Sequence, residues 1–174
     1  MPSPIKFAHV VLKTAKYDEM VAWWCDFLGG TVRHGNDFIS FISYDDEHHR
    51  LAIAGIPGLE EPNPKAAGVE HFAFTFANID DLFAQYEKMA AKGEKPYWTI
   101  NHGFTLSAYY RDPEGNQVET QIDTMSLKEA DDFMHGPLFA ANPIGINVDF
   151  EQLIERRRNG ATVAELTDYA TAGQ

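Results

Sequence analysis

Residues 105–111 alternate between polar and apolar side chains in the manner of a strand, and residues 116–122 resume the alternation after Asp112-Pro113-Glu114-Gly115. Proline presets one turn angle and glycine supplies the other, so the pattern predicts a hairpin. Within it Gln117, Glu119 and Gln121 share one face, and Val118, Thr120 and Ile122 the other. A carboxylate in mid-strand requires either a wet face or a cationic partner. Upstream, residues 5–13 predict a strand with Phe7, His9 and Val11 on one face and Ala8, Val10 and Leu12 on the other. Residues 14–28 carry Met20, Trp24, Phe27 and Leu28 at helical spacing, and Gly29-Gly30 ends that helix. Residues 38–44 and 50–54 predict two strands joined by Asp45-Asp46-Glu47. Residues 55–68, with Pro57, Pro62 and Pro64, predict a linker.

The pattern then starts again. Residues 69–76 predict a strand with Phe72, Phe74 and Phe76 on one face and His71, Ala73 and Thr75 on the other. Asn78 caps a helix, with Asp81 three residues on, and Leu82, Phe83, Tyr86 and Met89 form its buried stripe before Gly93. Residues 96–100 lead into the hairpin. FAHVVL and its helix thus recur as VEHFAF and its helix, and each half places a histidine, His9 or His71, in its first strand. The remainder, residues 124–174, opens short helices at Ser126/Glu129, Asp149/Gln152 and Thr162/Glu165, and Gly160 suits a C-terminal cap. It reads as a helical appendage without chemistry of its own, in which Arg156-Arg157-Arg158 forms a solvated face.

Composition narrows the possibilities. A chain of 174 residues suits one domain with a real core. A net charge of −12 argues against nucleic acid as a partner, since such proteins carry basic patches. The lone Cys25 excludes an intrachain disulfide and reads as a small apolar residue among Trp24 and Phe27. No run approaches the roughly 20 apolar residues of a membrane span, and the N-terminus lacks a leader pattern. The expected setting is cytoplasmic, with no membrane partner.

The candidate chemistry follows from the repeat. If the halves pair about a pseudo-twofold, His9 and His71 project into one concavity, and Glu119 enters it from the last strand. Two neutral imidazoles and one carboxylate make a facial triad that holds a divalent metal and leaves positions open. The same histidines taken singly are hydrogen-bonded core residues. His48-His49 open a strand, and an inward His49, on the face of Leu51 and Ile53, can move protons at neutral pH. Tyr109 shares a face with Thr105 and Ser107 and reads either as a core aromatic or as a site hydroxyl. His102 lies at the mouth of the hairpin, within reach of the same cavity. His34 and His135 read as surface residues.

These motifs, HVVL at His9, EHHRLAIAG at His48-His49, VEHFAF at His71 and AYYRDPEGNQVE ending at Glu119, resemble the vicinal oxygen chelate superfamily over about residues 5–123. Within it the chain is most similar to the extradiol catechol dioxygenases. The resemblance implies an α+β fold: paired βαβββ modules, residues 5–54 and 69–123 joined by linker 55–68, forming an open mixed-sheet barrel around a metal site. Residues 1–123 would be the domain and 124–174 its helical C-terminal extension. It implies His9, His71 and Glu119 as ligands of Fe(II), with Mn(II) the other metal this set accepts. It implies His49 as the histidine that steadies oxygen and moves protons, Tyr109 as hydrogen-bond partner of a substrate hydroxyl, and His102 across the substrate, at a shorter spacing to Tyr109 than in the family. The implied reaction is ring cleavage of a catechol, such as a biphenyl-2,3-diol, by O2, in a chain that forms a homo-oligomer. Two other readings share the fold. One is a metal-dependent isomerase, lyase or thiol transferase of the glyoxalase or fosfomycin-resistance type. Its usual fourth ligand has no counterpart in residues 51–54. The other is a bleomycin-resistance-like binding module, which the acidity suits and the triad does not.

Overall fold

The computed structural model describes residues 1–63 and 65–173; Pro64 of the expected linker and Gln174 of the tail lie outside them. Its contacts divide the chain into two units, Met1–Gly68 with Asp112–Asn116, and Val69–Arg111 with Gln117–Gln174.

The first unit runs β1 (Val10–Thr14), α1 (Tyr17–Leu28), β2 (Thr31–Gly35), β3 (Ile39–Ser43) and β4 (Leu51–Gly55). Its sheet has the order β1-β4-β3-β2, with β1 parallel to β4 and the other pairs antiparallel. The apolar stripe of α1 is buried at Met20, Trp24 and Phe27, with Trp23 added and Leu28 only half-buried, and α1 packs on β3 and β4. Gly29, at φ +63°, ends the helix in the left-handed conformation; its N–H bonds to Asp26 O, and that of Gly30 to Cys25 O. One expectation is corrected. The first strand starts at Val10 rather than residue 5, because Ile5 and Phe7 alternate correctly but are exposed, and His9 immediately precedes the strand. Periodicity does not locate β2, the further strand that the βαβββ plan of residues 5–54 calls for: it is the sheet edge, every residue of it is exposed, and no apolar period marks it.

The turn Asp112–Asn116 belongs by its contacts to this unit. Asp112 is 4% exposed, and its two carboxylate oxygens accept from the Trp24 indole (3.1 Å), the Asn116 amide side chain (2.8 Å) and the backbone N–H groups of Glu114 (3.0 Å) and Asn116 (2.9 Å). Burial raises its pKa, and those donors act against the rise. Glu114 accepts in turn from the Thr14 hydroxyl and from the N–H groups of Ala15 (3.0 Å) and Lys16 (3.2 Å).

The second unit repeats the plan as β5 (His71–Thr75), α2 (Ile79–Ala90), β6 (Trp98–Asn101), β7 (Thr105–Arg111) and β8 (Gln117–Asp123). The order β5-β8-β7-β6 matches the first sheet, strand for strand, with β5 parallel to β8. The α+β fold of two βαβββ modules is therefore present. The expected barrel takes the form of two separately hydrogen-bonded open sheets, neither closed on itself. Asn78 caps α2 by accepting from Asp81 N at 2.9 Å, and Leu82, Phe83, Tyr86 and Met89 are buried as the periodicity requires.

The tail continues as α3 (Leu127–Met134), α4 (Pro137–Ala141), β9 (Ile146–Asn147), α5 (Phe150–Arg158) and α6 (Val163–Thr167). Ser126 and Thr162 form complete capping boxes with Glu129 and Glu165, and Asp149 caps α5. Phe150 is buried with its ring edge-on to Phe83 at 5.5 Å. The arginine run is not merely a solvated face: Arg157 forms two 2.7 Å bonds to the Asp80 carboxylate, and Arg158 pairs with Glu87, tying α5 to α2. Among the described residues, no helix is long and apolar enough to cross a membrane.

Asp112→Ala strands the Trp24 indole and two backbone donors in a buried setting. The variant should lose about 2–3 kcal/mol of stability, read as a fall in the urea midpoint. Asp112→Asn, which keeps one acceptor oxygen, should lose less.

Candidate metal and substrate site

The second sheet builds its site from register. On the face opposite α2, Trp98 pairs with Tyr109, Tyr109 with Glu119, and Glu119 with Ala73, so one row crosses four strands. His71 lies one step diagonal to Glu119, beside the small Ala73. This places His71 Nε2 3.0 Å from Glu119 Oε2. Glu119 is only 4% exposed, whereas the His71 side chain is 35% exposed. The mid-strand carboxylate is therefore dry, with an imidazole beside it.

Tyr109 is buried in the same row, directly across from Glu119. Burial first, and then the neighbouring charge of Glu119, hold its pKa well above the ordinary phenol value. On the other side of its hydroxyl, His102 Nε2 lies at 3.0 Å, and His102 Nδ1 meets the carbonyl of Ile144. The Trp98 ring stacks on Tyr109, 4.8 Å between centroids. Trp98, His102 and Tyr109 line, with His71, Pro143 and Ile144, a pocket of about 280 Å³.

In the first unit, His9 and His49 lie ring to ring at 4.4 Å, and His48 Nδ1 is 2.5 Å from His49 Nδ1. Phe41 meets His49 edge-on at 5.0 Å. Burial, followed by the charges of His9 and His48, lowers the His49 pKa, so its ring is neutral near pH 7. The Nδ1–Nδ1 contact itself requires one imidazole to act as acceptor, which only a neutral ring can do.

The predicted residues thus fall into two groups. His71, Glu119, Tyr109 and His102 are brought together in the second unit, and His9 and His49 are brought together in the first. Among the described residues no three His, Cys, Asp or Glu side chains are gathered as a metal-holding group. The donor chemistry nonetheless suits a divalent cation. His71 and Glu119 supply an imidazole and a carboxylate already at ligand-like spacing, and a buried carboxylate is costly without positive charge nearby. His34 and His135 are exposed, as expected.

Phe133 and Phe139 cluster with Phe104 and Tyr169, apart from the pocket at His71, whose lining includes Pro143 and Ile144 of the tail. The tail therefore does contribute to the site. Only the adjacency of Pro143 to the helix-ending Asn142 hints at a turn here, and no residue type in it signals chemistry.

This arrangement, a repeated βαβββ module with His and Glu donors on one sheet face, defines a class. The chain belongs to the Glyoxalase/Bleomycin resistance protein/Dioxygenase superfamily, whose family model matches residues 6–120. It is 42% identical over 174 residues to biphenyl-2,3-diol 1,2-dioxygenase 2 of Rhodococcus globerulus, covering 99% of this chain and 92% of that one. It is 40% identical over 170 residues to biphenyl-2,3-diol 1,2-dioxygenase 3 of the same organism, covering 96% and 90%. Among solved structures, a glyoxalase/dioxygenase from Nostoc punctiforme superposes with a TM-score of 0.60 at 14% identity, covering 72% of this chain and 97% of that one. A glyoxylase/bleomycin resistance protein/dioxygenase domain from Frankia sp. EAN1pec gives 0.57 at 21%, covering 70% and 99%. At these identities the two structures speak for the fold alone.

The environment of Tyr109 makes a spectroscopic prediction. In an alkaline titration of the folded protein, Tyr109→Phe should leave the phenolate absorbance below about pH 11 unchanged, because that hydroxyl does not ionise in the ordinary range near 10. A missing phenolate signal below that pH would contradict the buried hydroxyl beside a carboxylate.

Proposed function

We propose that the chain is an extradiol dioxygenase: it cleaves the aromatic ring of a biphenyl-2,3-diol-type catechol beside the diol and incorporates both atoms of O2. The observation that carries this is the row Trp98–Tyr109–Glu119 with His71 diagonal to Glu119, at an aromatic-lined pocket, in a chain similar over nearly its whole length to two biphenyl-2,3-diol dioxygenases. His71 and Glu119, with His9 as the third ligand inferred from the family's pattern, would hold Fe(II). When bound, that ion supplies open coordination positions and one-electron chemistry, which the reaction of a closed-shell catechol with O2 requires. Mn(II) fits the same donors and is the alternative metal.

The chain's own residues do the rest. Trp98, stacked on Tyr109, offers a flat apolar surface to the catechol ring. The Tyr109 hydroxyl, kept protonated, hydrogen-bonds a substrate hydroxyl, accepting from it while its own proton faces His102. His49, kept neutral, takes up a proton when the diol is deprotonated and returns it to the product. His102 backs Tyr109 from the side away from Glu119. The glyoxalase alternative is weakened by β4, whose residues Leu51 to Gly55 contain no metal donor.

Anaerobic reconstitution with Fe(II) followed by 3-phenylcatechol and air should give the yellow ring-opened product. His71→Ala should lose both bound iron and turnover, and iron retained stoichiometrically in that variant would refute the ligand assignment. His49→Phe should keep the iron but lose about 10²–10⁴-fold in kcat. In the unaltered enzyme, the acid limb of kcat/KM should fall below the ordinary histidine value of about 6.5, because the His49 ring resists protonation.

A further inference from the structure

Beyond its helices, the tail reaches into the site at one short segment. β9 pairs antiparallel with β6, Ile146 opposite Asn101 and Asn147 opposite Ile100. The turn before it is built on Asn142, whose side chain donates to Gly145 O at 2.6 Å and accepts from the N–H groups of Ile144 (3.3 Å) and Gly145 (3.1 Å). Asn147 Oδ1 accepts from the Trp98 indole at 2.8 Å. The Ile144 carbonyl meets His102 Nδ1.

A carbonyl oxygen only accepts, so Nδ1 must carry the proton. In the neutral ring Nε2 is then an acceptor, and the group facing it at 3.0 Å is the Tyr109 hydroxyl. That hydroxyl then donates its one proton to His102. Were the tautomer reversed, Nε2 would donate to Tyr109, and the phenol proton would have to turn to another acceptor. The tail carbonyl thus decides which way this hydrogen-bond chain runs.

The approach of the tail depends on Gly145. Its φ is +117°, and a Cβ there would collide with Asn101 O and lie 2.9 Å from His102 Cα. Both obstacles are backbone and cannot swing aside, so any side chain at this position lifts the turn away from His102.

We propose that the segment from Asn142 to Asn147 is a positioning element of the site: the Ile144 carbonyl holds the His102 ring as the Nδ1–H tautomer, and Gly145 is the residue that lets it reach. The tautomer is a property of the folded chain; its effect on turnover rests on the dioxygenase reading above.

The two are tested separately. Two-bond proton–nitrogen correlation spectra of the full-length, metal-free chain, with nitrogen-15-labelled histidine, at about pH 8 where a free imidazole is neutral, report the ring state directly. His102→Asn identifies the signals. The unaltered chain should show a protonated Nδ1 and a bare Nε2. Gly145→Ala, and the milder Asn142→Ala, should move these signals toward averaged tautomers. After iron loading, each should lower kcat about tenfold or more with iron content unchanged. A protonated Nε2 in the unaltered chain overturns the proposal, whether or not the variants fold. So does a folded variant with unchanged ring signals, or one with altered ring signals and unchanged kcat. Expected ring signals in a chain that cleaves no catechol would leave the tautomer assignment standing and sink the dioxygenase reading instead.

Discussion

The second unit is organised around the burial of one negative charge. Glu119 sits at 4% exposure in the middle of a strand, and a carboxylate withdrawn from water costs several kcal/mol unless its neighbours replace the lost hydration. Each neighbour in the row does so differently. His71 brings a nitrogen to 3.0 Å, Tyr109 brings a hydroxyl, and Ala73 leaves the diagonal open for the imidazole. The same constraint keeps the Tyr109 proton in place, since a second negative charge beside Glu119 would be dearer still. The other face of these strands needs none of this: it is apolar at Val118 and Ile122, and α2 packs on β8. Pleating alone separates the two environments.

Elements with one clearly buried face were legible from periodicity. The stripe of α2 and most of that of α1 are where the 3.6-residue spacing puts them, with Leu28 only half-buried; β7, buried on both faces, nonetheless has the bounds its alternation indicated. Caps were legible too, because Ser126 with Glu129 and Thr162 with Glu165 act within one turn and need no tertiary context. The strands β2 and β9 were not. Every residue of β2 is exposed, and β9 is only two residues long and exists through its pairing to β6. Arg157 likewise had no visible partner, since Asp80 is distant in the chain and is met only after α5 folds back on α2.

The site divides along the same line. His71, Glu119 and Tyr109 could be placed because strand alternation assigns faces, and the repeat pointed to the histidine. Pro143 and Ile144 could not, because one contributes a wall and the other a backbone carbonyl that every residue possesses. The aromatic residues of the tail are ambiguous for a related reason. Phe133 and Phe139 are as suited to a small core as to a substrate pocket, and composition does not distinguish the two.

The edge position of β9 has a second effect. Without it, β6 would end the second sheet with an unpaired row of N–H and C=O groups running along Trp98 to Asn101. Such a row is a template for another chain, and proteins commonly cover or shorten their edges to prevent that. Two paired residues, anchored by Thr99 Oγ1 to Val148 O at 2.6 Å, are enough to occupy it. A chain shortened before Asn142 would therefore tend to self-associate through β6, so its aggregation would have to be separated from any change at His102 before either was read as the role of the tail.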